Sequence, residues 1–596
     1  MAVPLGSQLR RSYRRVVRDY RSDPYLRYIL LGALLLSGFF FWHLIPNFAT
    51  RDERDRIFDV LYWYGSVIET PTIESARAGV VWGRVPFGPT FYLYGLLFLP
   101  IVAIILLTGN ESILTAFARP DPYFIWHSTW SATPEWFWMV TIGVVRLSSV
   151  AFSVGIVYLG YRIGSTVRDR PTGRLAAVFL TLTLGILMLA HEGGEDIPAL
   201  FFYLLSTYCA IWYVSSGDRD SFIAACVAGG LAIGFKLTTA PVVVVIGLAF
   251  FLRGVEPAAG LREIARPGLF LSGALLGCIT IVSSYPDVFA VGPEPLVKRI
   301  LHGASVGPSR DFGPSAERWW WYGRALFNGQ GLILSIASLS ALVALPFSWR
   351  DRSFETLSSA LVVAGAAGSL LLFIDWHDFR THHLVPAMAL LAIVLAIALA
   401  RLRSRAPAVG RVILAVLVLT SGVYATAGVL GYGSQPRGVA ADWLGANADE
   451  NDTVEVYRHD WQETGLALDT SVSSPNGRGT YGTDRTSGCP TYIQLGYRDL
   501  YYLDSDTFRK DDPDRSRYIR ALVSNRTQYR VVATFGERPP VAEIAPSNPN
   551  SVRDLIRVGL TPLVAQYGDE QEVGPEQYVV ILERQGSCPS VWNPPF

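Results

Sequence analysis

Apolar runs long enough to cross a bilayer recur near residues 28–46, 138–160, 173–190, 198–214, 221–236, 238–252, 268–284, 329–347, 355–374, 384–400 and 411–431. A helix rises about 1.5 Å per residue, so about 20 apolar residues match the hydrocarbon core, and the shorter runs need packing partners. The pattern predicts eleven spans. A further run, 87–107, is equally apolar but begins FGPTF inside a long aromatic loop. Past residue 431 the pattern changes. Strand-like runs at 453–457, 529–535 and 577–582, and a helical stretch at 552–558 with Ser551 placed to cap it, predict a separate α/β domain.

Charge orients these elements. If 87–107 does not cross, the N-terminal RRSYRRVVRDYR, the loop 162–174, SSGDRDS, the loop 253–266, the WRDR around Arg350 and RLRSRAPAVGR all share one side. The positive-inside rule makes that side cytoplasmic. Crossing would put every later arginine-rich loop outside, so 87–107 is read as a re-entrant or interfacial helix pair whose turn is buried by protein. The first span follows a basic segment and lacks a small-residue cleavage site, which reads as a retained anchor. The expected architecture is a polytopic α-helical membrane protein with a cytoplasmic N-terminus (1–27), a transmembrane domain (28–431) with external loops 47–137 and 285–328, and an extracytoplasmic α/β domain (432–596).

Composition agrees: half of the 596 residues are apolar, and a net charge of +1 offers no basic field for nucleic acid. The outer domain carries 23 acidic against 16 basic residues from Gly431 onward, a solvated surface. The sequons at Asn110, Asn451 and Asn525 all fall outside. Cys209, Cys226 and Cys278 lie in spans, whereas Cys489 and Cys588 are the outer-domain pair, where a disulfide is permitted. No internal repeat is visible, which argues against a transporter built from inverted halves.

Candidate chemistry gathers at membrane exits. Asp52 and Glu53 follow the first span in NFATRDERDRIFDV, and His191, Glu192, Glu195 and Asp196 form the turn HEGGEDIP. Carboxylates at a membrane edge cost desolvation, which makes that turn a functional candidate. Two such clusters on one face can converge, one carboxylate taking a proton from an acceptor hydroxyl while the other orients it or holds a divalent metal. Arg380, His382 and His383 in DWHDFRTHH, with Lys236, supply cations for an anionic headgroup. His377, His382 and His383 are the alternative as zinc ligands, but adjacent histidines point apart on a helix.

Several segments carry a family resemblance. The DE pair (Asp52, Glu53), RVPFGPTFYLY, VVRLSSVAFSVGIVYLGYRIG, LMLAHEGGEDIPALFFYLL, GLAIGFKLTTAPVV and RTHHLVPAMALLAIVLA resemble, in order, successive landmarks of GT-C glycosyltransferases. The order is most similar to the dolichyl-phosphate-mannose protein mannosyltransferase and aminoarabinose transferase branch, and covers about residues 28–431, with an outer domain of a kind common in archaeal members. The resemblance implies that Asp52 corresponds to the catalytic aspartate and Asp196, with Glu195, to the second external acid. It also implies a polyprenyl-phosphate sugar donor and inverting attack at the anomeric carbon. Two departures bear on the acceptor contacts: RDERDR replaces the usual aromatic spacing, and FGPT replaces H-P-P-L.

Residues 319–323, WWWYG, come within one letter of the oligosaccharyltransferase signature WWDYG. There the motif follows the last span and its acid reads the acceptor; here it precedes the eighth expected span and Trp321 replaces the aspartate. An interfacial aromatic belt is the expectation, with Trp320, Trp321 and Tyr322 as groove residues for lipid or sugar. The reading is a multi-pass membrane glycosyltransferase that moves one sugar from a polyprenyl (dolichyl) phosphate to a glycan, lipid-linked glycan or protein on the extracytoplasmic face. Whole-glycan transfer and a non-enzymatic lipid or sugar transporter are the alternatives.

Overall fold

The computed structural model describes residues 5–82, 88–118, 126–256, 266–306, 317–349, 351–376, 380–433, 436–449, 451–457, 465–467, 471–473, 489–496, 499–504, 509–510, 512–536, 551–562 and 578–587. Among them, seven helices are long and apolar enough to cross a membrane, or up to nine if each of two bent pairs is one span. The bent pairs are Arg170–Thr181 with Leu184–Ala190, at 60°, and Arg318–Gln330 with Leu332–Ala344, at 111°. Two expected spans are the shorter apolar helices Pro24–Gly38 and Pro267–Ser283. The first stops early because the chain turns after Gly38, with positive φ at Phe40 and Leu44.

The run 87–107 forms a single unbroken helix, Gly88–Leu107, in place of the expected helix pair; it is long and apolar enough to cross, and residues 114–117 that follow it pack back against Gly65 and Phe58 of helix Arg51–Glu69. Pro100 sits inside Gly88–Leu107 without ending it, and the sequence between Tyr94 and Leu107 holds no polar turn that would let the chain double back.

Helix Thr381–Arg405 is the centre of the bundle, buried continuously from Thr381 to Ile397. Its sequence is apolar on all sides from Leu384 to Ala400, as a helix surrounded by helices requires. Helices Glu135–Val167 and Arg170–Thr181 cross closely at glycines: a Cβ on Gly173 would lie 2.5 Å from the Tyr161 carbonyl oxygen and 2.0 Å from Ser165 Oγ. Small residues permit this approach where no apolar solvation difference drives helices together.

The outer domain is built on a five-stranded sheet, Thr453–Val456 (β1), Ser471–Ser473 (β2), Tyr492–Leu495 (β3), Tyr529–Phe535 (β4) and Val579–Arg584 (β5), in the order β2-β1-β3-β5-β4. β1 runs parallel to β2 and β3; β5 runs antiparallel to β3 and β4. Strand alternation divides β5 between two cores. Val579 and Ile581 join the cluster that contains Phe48, Phe58 and Trp138, whereas Val580 and Leu582 pack with Ile493, Ile519 and Leu522. One sheet face is therefore part of the same apolar layer as the loop after the first helix. Elsewhere the domain docks through helix Val552–Leu560. Gly559 leaves no room for a side chain beside Leu332, and Tyr424 Oη lies 2.9 Å from the Val558 carbonyl oxygen. Cys489 is disulfide-bonded, and its expected partner Cys588 lies outside the described residues.

The close helix crossing makes a prediction. Gly173→Ala should destabilise the bundle by about 1–3 kcal/mol through overpacking. Gly247→Ala, where a Cβ meets nothing within 4 Å, should not. Thermal unfolding in detergent compares the two; equal midpoints would refute the close crossing.

Candidate active site

Helix Arg51–Glu69 begins at Thr50, whose Oγ1 accepts from Glu53 N at 3.2 Å. Threonine with glutamate three residues on is the capping-box pattern, and here the Glu53 carboxylate turns back to accept from Ala49 N at 2.7 Å. It also receives Arg146 Nε at 2.7 Å, Arg146 Nη2 at 2.8 Å and Gly193 N at 2.8 Å. Glu53 and Arg146 are both 0% exposed. The paired geometry is the bidentate fork that compensates two buried charges. Glu53 was expected beside Asp52 as a catalytic acid. It is instead a closed structural carboxylate that ties the start of this helix to helix Glu135–Val167 and to the 191–195 turn.

Asp52, one residue earlier, faces elsewhere. Its side chain is 20% exposed and lies 3.6 Å from Arg56. Arg56 in turn forks onto Glu195, Nε to Oε2 at 2.9 Å and Nη2 to Oε1 at 3.2 Å. Lys236, at the end of helix Arg219–Phe235, donates to Asp196 at 2.6 Å and lies 3.5 Å from Glu195. The two acidic segments, more than 130 residues apart in sequence, thus meet in one cluster. Lys236, expected among the headgroup-binding cations, belongs to it, with its ammonium paired to Asp196.

Charge balance singles out Asp52. Arg56 and Lys236 offset Glu195 and Asp196. Burial would raise the Glu195 carboxyl, but the charges of Arg56 and Lys236 and the hydrogen bond from Arg56 hold it at about 2. Glu192 goes the other way: burial first, then Asp196, Asp52 and Glu53, push its carboxyl well above the usual range, with only a hydrogen bond from Thr50 opposing. Burial thus disfavours the charged form of Glu192, and Asp52 is the more solvent-reaching of the remaining carboxylates.

A small cleft adjoins the cluster, lined by Thr50, Glu192, His191, Met188, Thr381, His382 and Tyr432 among others. His382 thus shares this cleft with Glu192. Arg380 caps helix Thr381–Arg405, and its backbone N donates to His383 Nδ1 at 3.0 Å, which turns His383 toward Phe373 and Trp376. His377 lies outside the described residues. Among the described residues no group of three or more His, Cys, Asp or Glu side chains is placed to hold a metal ion. Trp320 and Trp321 are 0% and 5% exposed, packed in the bundle core, and Tyr322 donates to the Leu370 carbonyl oxygen. None of the three lines the cleft; Trp319 alone of this run reaches the surface as an aromatic belt would. Their helix turns Trp320 and Trp321 inward, and Leu555 of the outer domain is seated where a Gly323 side chain would be.

Arg56, Arg146, Thr50 and Tyr432 were not singled out from sequence. Arg146 had a legible signal, a lone arginine within an apolar span, which demands a buried acid. Tyr432 had none; it stacks on His191 at 4.1 Å and 4°.

Two outcomes test this arrangement. Arg146→Leu leaves Glu53 buried without its counter-ion and should cost about 3–5 kcal/mol, read as loss of folded protein or a large fall in thermal midpoint. A midpoint within one degree of the parent would remove Glu53 from the core. For Glu195 the folded carboxyl titrates near 2 against 4.5 for an unperturbed one, so its stabilisation is present above pH 4.5 and is lost as pH falls toward 2. Glu195→Gln should flatten the acid side of the stability profile. Glu192 has the opposite sign, so Glu192→Gln should leave the midpoint at pH 7 unchanged or higher.

Residues 122–285 match the family model described as dolichyl-phosphate-mannose-protein mannosyltransferase. No curated relative matches the chain. Among solved structures, ArnT from Cupriavidus metallidurans bound to undecaprenyl phosphate is similar at 12% identity, covering 93% of this chain and 98% of that one, with a TM-score of 0.45. An oligosaccharyltransferase from Archaeoglobus fulgidus tethered to an acceptor peptide is similar at 10% identity, covering 94% and 89%, with a TM-score of 0.45. The family match spans the HEGGED turn and Lys236, so the part of the chain that carries the acidic cluster is similar to that family of membrane glycosyltransferases.

Proposed function

We propose that this chain transfers a single sugar from a polyprenyl (dolichyl) phosphate to an acceptor hydroxyl on the extracytoplasmic face, with inversion at the anomeric carbon. The observation that carries the reading is the isolation of Asp52: it is the accessible carboxylate of a cluster whose other acids are neutralised or closed off. In this scheme Asp52 takes the proton of the acceptor hydroxyl. The acceptor oxygen bonds to the anomeric carbon, the bond from that carbon to the phosphate oxygen breaks, and polyprenyl phosphate leaves. Arg56, itself forked onto Glu195, holds Asp52 in place, and Lys236 pairs with Asp196 beside them. His382, across the cleft, and Arg380 at the head of its helix are the groups proposed to meet the phosphate.

The N-terminal arginines support a cytoplasmic N-terminus by the positive-inside rule. Arg437 of the outer segment donates to the Phe48 carbonyl oxygen at 3.3 Å, beside Thr50, which supports an outer domain on the same side as the cluster. The likeness of residues 122–285 to dolichyl-phosphate-mannose-protein mannosyltransferases supports a dolichyl-phosphate donor. The acceptor is a glycan, a lipid-linked glycan or a protein.

Mass spectrometry of envelope and lipid-linked glycans from a deletion strain tests the proposal. Glycans short by one sugar should be restored by the parent gene. Asp52→Asn should lower transfer by about 100-fold or more at unchanged expression. Restoration by Asp52→Asn would overturn the role of Asp52. Loss of every protein-linked glycan, with full-length lipid-linked precursor left behind, would overturn single-sugar transfer in favour of whole-glycan transfer.

A further inference from the structure

Helix Leu5–Ser22 precedes the first apolar helix and plays no part in the site. Two contacts one turn apart fasten it to the bundle. Asp19 Oδ2 accepts from Arg162 Nη1 at 2.8 Å and from Tyr158 Oη at 3.0 Å. Arg15 Nη1 donates to Tyr208 Oη at 2.9 Å, and its guanidinium lies 5.6 Å from the Trp212 ring. Tyr158 and Arg162 are one turn apart near the end of helix Glu135–Val167, and Tyr208 and Trp212 are one turn apart near the end of helix Asp196–Ser216. Arg162 Nη2 also donates to Tyr208 Oη at 3.0 Å, which ties the two spans together beneath it. Helix Leu5–Ser22 therefore lies across two spans within their last three turns, along the membrane edge.

Arg15 and Asp19 use one face of this helix, and the remaining surface divides into two sectors. Tyr13, Val16 and Tyr20 recur at helical spacing and are 71%, 41% and 48% exposed. Arg14, Arg18 and Arg21 recur on the next sector and are exposed. An aromatic and aliphatic stripe beside a basic stripe, held along the membrane edge, is the pattern that seats a helix between acyl chains and anionic headgroups. The first apolar helix starts two residues later, at Pro24, so the two surfaces are continuous.

We propose that helix Leu5–Ser22 is a docking surface for anionic phospholipid in the leaflet on the N-terminal side. Its arginine stripe pairs with the headgroup phosphates, and Tyr13, Val16 and Tyr20 enter the acyl boundary. The full chain in neutral detergent, titrated with phosphatidylglycerol and followed by native mass spectrometry, tests this. R14Q/R18Q/R21Q should weaken phosphatidylglycerol binding at least tenfold, with phosphatidylcholine binding and the thermal midpoint unchanged. Tyr13→Ser with Tyr20→Ser should weaken the lipid and leave glycerol phosphate, the headgroup without chains, as weak as in the parent. Parent-like phosphatidylglycerol binding by the triple variant would overturn the proposal. So would arginine-dependent binding of a soluble acidic peptide as tight as the lipid and indifferent to Tyr13 and Tyr20.

Discussion

The buried fork between Glu53 and Arg146 is the constraint on which the rest of the site depends. A charge removed from water at the edge of a membrane is tolerated only when a partner and further hydrogen bonds replace its hydration. Glu53 receives four donors from three segments: the strand-like approach at Ala49, the span at Arg146 and the turn at Gly193. Arg146 also reaches the carbonyl oxygens of Phe41 and His43. This single pair therefore fixes where the first helix ends, where the next begins and how close the HEGGED turn lies. A Cβ at Gly193 would stand 2.1 Å from Val145 and 3.4 Å from the Glu53 carboxylate, so the turn approaches this pair as only glycine allows.

Once that frame is set, the neighbouring residue inherits its position. Asp52 and Glu53 are adjacent in the first helical turn, and adjacent side chains on a helix diverge by about 100°. Fixing Glu53 inward against Arg146 directs Asp52 toward Arg56, Glu195 and the open side. The doublet divides its labour by geometry: one carboxylate is closed off with full compensation, and the other is held beside the cations but open to solvent. A reactive base needs both conditions, a fixed position and a free lone pair.

How much of this was legible in the sequence follows from the range of each interaction. Strands β1, β4 and β5 and helix Val552–Leu560 were visible because β-branched runs and helical periodicity act over a few residues. β2 and β3 were missed: β2 is three residues long, and Gln494 interrupts the apolar run of β3. Convergence of the two acidic segments was anticipated from topology, since both sit at exits on one face. The division between Asp52 and Glu53 was not, because it depends on Arg146, 93 residues away. The tryptophan run misled for a related reason. Local composition speaks for an interface, but burial of Trp320 and Trp321 depends on helices that enter later in the chain.

The outer domain closes the cleft as well as extending from it. Tyr432, just past the last helix of the bundle, stacks on His191, while the ring nitrogens of His191 lie 2.6 Å from the carbonyl oxygens of Leu187 and Phe39. His43, from the loop before Thr50, sits 4.8 Å from the same Tyr432 ring and 3.0 Å from the His191 carbonyl oxygen. The junction between membrane and outer domains is thus one wall of the cleft that holds Glu192 and His382. A residue in that wall cannot move without disturbing the turn that carries Glu192, Glu195 and Asp196, because His191 is the first residue of that turn. The tail's attachment is therefore coupled to the acids mechanically, through an aromatic stack and two carbonyl contacts, with no charge of its own in the chemistry.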